Sequence, residues 1–118
     1  PKVHHLTSVI RGKIKKDKTW LDLLKACWPG GSITGAPKIR ACKRIYELEK
    51  CDRGPYCGSF IKIDWQGCLD SNILIRSYIL KNKKIKIHAG CGIVNDSIPR
   101  DEDEELKWKL VPLIESLK

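Results

Sequence analysis

CGSFIKIDWQGCLDSNILIRSYILKNKKIKIHAG, residues 57–90, holds three runs rich in β-branched residues: CGSFIKID (57–64), NILIRSYIL (72–80) and KIKIHAG (84–90). Runs of this length and composition read as strands. WQG and KNK separate them, which predicts an antiparallel meander. DRGPY (52–56) just before is a turn.

Further upstream, VHHLTSVIRGKIK (3–15) alternates and predicts a strand with a bend at Gly12. DKTWLDLLKAC (17–27) predicts a short helix capped by Asp17 or Thr19, with Leu21, Leu24 and Trp28 at helical spacing. A second helix runs from Pro37 to about Lys50, turning Ile39, Cys42, Ile45 and Tyr46 inward; Pro37 suits a first turn, where its missing N–H is not needed. After NDSIP (95–99), Leu106, Leu110, Leu113, Ile114 and Leu117 form one apolar stripe, predicting a helix that lies on the sheet. Pro112 within that stripe should kink or split it. Strands and helices in this order give an α+β domain, an antiparallel sheet with packed helices.

The 118 residues suit one domain with one core, and 42% hydrophobic with 31% charged residues is ordinary for a soluble chain. No apolar run approaches a membrane span and no signal-peptide order is present, so a cytoplasmic location without membrane contact is expected. The chain begins at Pro1 and contains no Met, which reads as a piece of a longer protein. Six cysteines without a C-x-x-C pair read as small buried apolar groups in a reducing compartment, rather than as three disulfides or a zinc site. The net charge of +9 points to an anionic partner. Yet the basic clusters RGKIKKDK (11–18) and KNKK (81–84) fall at turns, and the four tryptophans are not interleaved with them. That argues against the alternative of a nucleic-acid-binding module.

PGGSITGAPK (29–38) exposes many backbone N–H groups before a helix. Gly30 and Gly35 have a Walker-type gap, but Ala36 and Pro37 stand where Lys and Ser or Thr must be. No strand leads into the glycines, so a dinucleotide fingerprint fails as well. What remains is either a tight glycine turn or an anion cradle, with Ser32 and Thr34 adding hydroxyls.

PGGSITGAPKIRACKRIYELE resembles the central signature of the chorismate-utilising enzymes, a family that includes anthranilate synthase component I, aminodeoxychorismate synthase component I, isochorismate synthases and salicylate synthases. VHHLTSVIRG, RGPYCGS, DSNILIRS, AGCGIVNDSIP and the acidic EDEE (102–105) resemble further blocks of that family in order. The resemblance covers essentially the whole chain and implies the C-terminal half of an α/β/β/α sandwich, a single partial domain over residues 1–118.

The family's substrate, chorismate, is a dianion with a ring carboxylate and an enolpyruvyl carboxylate. The resemblance implies that Ser32, Thr34 and Gly35 form a carboxylate cradle, with Gly90 and Gly92 as a second backbone donor set. It implies that Arg76 and Tyr56 clamp the enolpyruvyl carboxylate, a guanidinium offering two parallel donors and a phenol a third. An Arg buried within an apolar run needs an anion or an acidic partner; the other reading is an Arg on a solvated sheet face. Glu102 and Glu105 share a helix face and would face Mg²⁺ bridging to the ring carboxylate; spacing alone leaves Asp103 and Glu104 open. Lys109 matches a family position near metal and substrate. His5 matches the family's histidine and would assist departure of the ring 4-hydroxyl.

The family's catalytic region is roughly twice this length, so the first metal-binding glutamates and the segment with the catalytic lysine of aminodeoxychorismate synthases would lie upstream. This portion alone is expected to be inactive and to need the remaining N-terminal part. Leu106, Trp108 and Lys62 depart from the usual Thr, Asn and Gly. PGGSITGAPK is closer to aminodeoxychorismate synthase component I than to the anthranilate form, which implies amination at ring C4 towards p-aminobenzoate and folate. Ammonia would come from a glutamine amidotransferase subunit. Anthranilate synthase, or an isochorismate or salicylate synthase, is the alternative.

Overall fold

The computed structural model describes residues 7–118, so His5 and the first part of the predicted N-terminal strand lie outside the described residues. The first helix, α1 (Trp20–Cys27), is closed by a capping box: the Thr19 hydroxyl accepts from the Asp22 N–H at 3.4 Å, and the Asp22 carboxylate accepts from the Thr19 N–H at 2.9 Å. Thr19 rather than Asp17 is therefore the cap. A four-residue helix, α2 (Gly31–Thr34), stands within the glycine loop, and α3 (Lys38–Leu48) follows with Pro37 at its N-cap.

Two antiparallel hairpins come next. β1 (Ser59–Ile63) pairs with β2 (Leu69–Ile73), and β3 (Tyr78–Lys81) pairs with β4 (Lys84–Ile87). The Asp64 carboxylate nucleates the first turn by accepting from Gln66 and Cys68 N–H at 2.9 and 2.8 Å. Asn82 and Lys83, both at positive φ, make the second, the backbone a two-residue hairpin requires. The last element is α4 (Pro99–Glu115).

The α+β class with antiparallel strands holds, while several details differ from expectation. Residues 7–15 form no strand. The single strand expected at 72–80 is two strands, because Arg76 adopts φ 51° and turns the chain between them, so the meander becomes two separate sheets. Pro112 does not split α4, which continues through it to Glu115.

No described residue is buried. In α3 the half-buried positions are Lys38, Ala41 and Ile45, while Ile39 and Tyr46, expected inside, are 75% and 87% exposed. In α4 only Leu106, Leu110 and Leu113 of the stripe are half-buried, and the helix does not lie on a sheet; close packing is confined to the two hairpins and to α2 against α3. All six cysteines are free, and Cys27, Cys42, Cys51 and Cys68 are exposed rather than in a core. The common reason is that among the described residues no second layer covers these apolar faces. The radius of gyration is 16.8 Å, against roughly 13 Å for a compact chain of this length. Among the described residues no helix is long and apolar enough to cross a membrane.

Candidate functional site

With no buried residue among those described, backbone bonds assemble the site. Cys57 N–H donates to the Leu74 carbonyl at 3.0 Å and Leu74 N–H to Gly58 at 2.9 Å, extending the β1–β2 ladder past its strands. This ties the turn carrying Tyr56 to the connection carrying Arg76. Cys57 and Arg76 both hold positive φ, a backbone state that non-glycine residues rarely adopt and that clusters at binding sites. On the other side, the Lys109 ammonium of α4 donates to the Gly90 carbonyl at 3.1 Å and pairs with Glu105 at 2.5 Å.

These ties enclose a cavity of about 640 Å³, within the range of small-molecule sites. Ser32, Tyr56, Arg76, Gly90, Gly92, Glu105 and Lys109 all line it. Thr34 instead lines a neighbouring cavity of about 680 Å³, and Gly35 lines neither. Gly35 has φ 110°, and a Cβ there would stand 3.1 Å from that of Ala41, so glycine is needed for the turn into α3. The loop's donors are also partly spent: the N–H groups of Ile33, Thr34 and Gly35 bond to Gly30 and Gly31 carbonyls. Arg76 is exposed in a connection rather than buried in a strand, and it has no acidic partner among the described residues.

Four cationic side chains (Lys50, Arg53, Arg76 and Lys109) and two carboxylates (Glu49 and Glu105) line the cavity. Arg53 pairs with Glu49 and Lys109 with Glu105, which leaves Lys50 and Arg76 as the excess positive charge. Such a cavity favours a small dianion.

Tyr56 sits against the AGCG segment so closely that a Cβ on Gly90 would lie 2.8 Å from its hydroxyl. Its phenol is pushed up to about 12, first by burial, then by the neighbouring Cys57, with Arg53 opposing. It is therefore a neutral donor at physiological pH. Because the folded value exceeds the ordinary one near 10, the associated stability is present below pH 10 and is lost as pH climbs through 12. Phenolate absorbance, taken as wild type minus Tyr56→Phe, should rise near 12; a rise near the ordinary value would contradict the covered position of this ring.

Glu102 does not line the cavity but adjoins it. Its Oε2 is buried without a hydrogen-bond donor, and ligand atoms of Cys91, Glu102 and Glu105 lie within 4.8 Å of one another. Two carboxylates, one holding an orphaned oxygen, fit a hard divalent cation such as Mg²⁺. Cys91 does not suit such an ion. Burial pushes its thiol pKa up, Lys109 opposing, and the thiol donates to the Glu102 carbonyl at 3.3 Å.

Sequence reasoning missed Glu49, Arg53 and His88 in this cavity. Glu49 and Arg53 stand four apart, a spacing that signals an ion pair, but Glu49 caps the end of α3 and the helix does not reach Arg53. Nothing in the strand pattern marks His88, whose ring stacks on Tyr56 at 5.3 Å between centroids.

The family model for chorismate binding enzymes matches residues 1–115. The chain is 43% identical to anthranilate synthase component 1 of Acetivibrio thermocellus over 98% of its own length and 24% of that protein's. It is 41% identical to the protein of that name from Synechocystis sp., with the same coverage of both chains. For the Aquifex aeolicus protein the identity is 40%, again over 98% of this chain and 24% of the relative. It thus spans about a quarter of the length of these curated relatives.

Proposed function

The chain belongs to the chorismate binding enzyme family, and from that premise we propose that it forms the substrate-holding portion of an anthranilate synthase component 1-type enzyme. The observation that carries the reading is the convergence of Arg76, Tyr56, Gly90 and Ser32 on one cavity with excess positive charge. In this reading the Arg76 guanidinium presents two parallel N–H donors to one carboxylate of chorismate, and the neutral Tyr56 phenol donates a third bond. Amides of Gly90 and Gly92, with the Ser32 hydroxyl, receive the remaining oxygens. Thr34 and Gly35 act one step back, through the shape of the loop. Lys109 holds the Gly90 carbonyl and so fixes the direction of the adjoining amides.

Glu102 and Glu105 would hold Mg²⁺, which when bound would neutralise the ring carboxylate. His5 remains the proposed proton donor to the departing hydroxyl. The rest of a chain as long as the relatives' would supply the other half of the metal site, and a glutamine amidotransferase subunit would supply ammonia.

The anthranilate reading is supported by the names of the relatives. The loop PGGSITGAPK favours a second one, aminodeoxychorismate synthase component I. The complete protein incubated with chorismate, ammonia and Mg²⁺ should release anthranilate, and a chelator should stop it. Release of aminodeoxychorismate would replace the first reading by the second, and no consumption of chorismate would remove both.

A further inference from the structure

Resting on that reading, we infer that Arg53, clamped by Glu49, is a positioning residue that aims the Tyr56 phenol into the cavity. The Arg53 Nε donates to one Glu49 oxygen at 2.7 Å and its terminal N–H to the other, so both ends of the guanidinium fork are used. The guanidinium carbon stands over the Tyr56 ring, 5.9 Å from its centroid. His88 stacks on the same ring at 18°. The Arg53 carbonyl also accepts from the Tyr56 N–H at 3.2 Å. Tyr56 is thus held through its backbone, through its ring face and by the Gly90 segment against its hydroxyl.

A stabilising role explains this poorly. The pair is only partly covered, with side chains 26% and 37% exposed, and ion pairs of that exposure contribute little to folding. Its location is more telling. Glu49, Arg53 and Tyr56 line both cavities and, with Lys50, Cys51 and Cys57, form the wall between them. Arg53 commits two of its N–H groups to Glu49 and holds its guanidinium carbon over the Tyr56 ring, and that contact is the route by which it positions the phenol. Arg53→Lys would keep the charge and lose the two-point fork on Glu49.

The test is a double-mutant cycle in the complete protein: wild type, Arg53→Lys, Tyr56→Phe and the pair, each assayed for chorismate turnover and checked for thermal stability. Arg53→Lys is expected to raise KM for chorismate about tenfold while kcat stays within about twofold. In the Tyr56→Phe background the same change should cost less than about twofold, because the phenol it positions is already gone. Glu49→Gln, which keeps the shape and weakens the fork, should raise KM about threefold on the same dependence. Additive losses, or an Arg53→Lys protein with wild-type KM, would overturn the inference while leaving the functional reading intact. Wild-type protein that does not turn over chorismate would instead bring down the reading itself.

Discussion

Replacing Arg76 by Ala in the complete protein will weaken chorismate binding about 100-fold, or about 3 kcal/mol, the scale of a charge-assisted bidentate contact. Arg76→Lys will recover only part of this, leaving about a tenfold loss, since an ammonium supplies charge without the fork. Neither change should unfold the protein, because Arg76 is exposed and has no ion-pair partner among the described residues. Arg76→Gly makes the sharpest comparison. Glycine accepts the φ of 51° without penalty, so this variant should match or exceed wild-type thermal stability while binding no better than Arg76→Ala. Ligand titration beside thermal melting checks both halves. Wild-type affinity in Arg76→Ala would remove this residue from the site.

Gly90→Ala is the second large effect. The added methyl would stand 2.8 Å from the Tyr56 hydroxyl, inside contact distance, and either the phenol or the strand end must move. The same backbone receives the Lys109 ammonium, so displacement spreads to α4. A loss of kcat/KM of about 30- to 100-fold is expected, since small misplacements at a binding centre carry penalties of this order. Gly92→Ala is the control within the same motif. Among the described residues, its chain neighbours aside, nothing lies within 4 Å of a Cβ there, so a clash with Tyr56 would not account for a loss at Gly92. Combining Gly90→Ala with Tyr56→Phe removes the clashing oxygen and should cost less than the sum of the two. Strict additivity in kinetics would show that the methyl acts by some other contact.

That Tyr56, Arg76, Gly90 and Gly92 share one cavity was legible through the ordered motifs that resemble the chorismate-utilising enzymes, rather than through periodicity or composition. The break in the strand at Arg76 was not legible, since arginine carries no turn signal and sits between isoleucine and serine in an apolar run. The pairing of Glu49 with Arg53 was missed because it spans a helix end. Burial was misjudged for a different reason. Periodicity tells which face of α3 or α4 is apolar, and says nothing of whether another layer lies over it. Ile39 and Tyr46 follow helical spacing and are nonetheless exposed.

That none of the described residues is buried bears on affinity as well as on stability. Walls fastened mainly by hydrogen bonds, rather than wedged by packing, sample many arrangements, and a ligand that selects one of them spends part of its contact energy on restricting them. Whatever stiffens those walls beforehand, whether a cation across Glu102 and Glu105 or a protein layer over Phe60 and Leu80, meets that entropic cost in advance. Preorganisation of this kind would appear as positive heterotropic cooperativity between the cation, the covering layer and chorismate, without any new contact to the substrate.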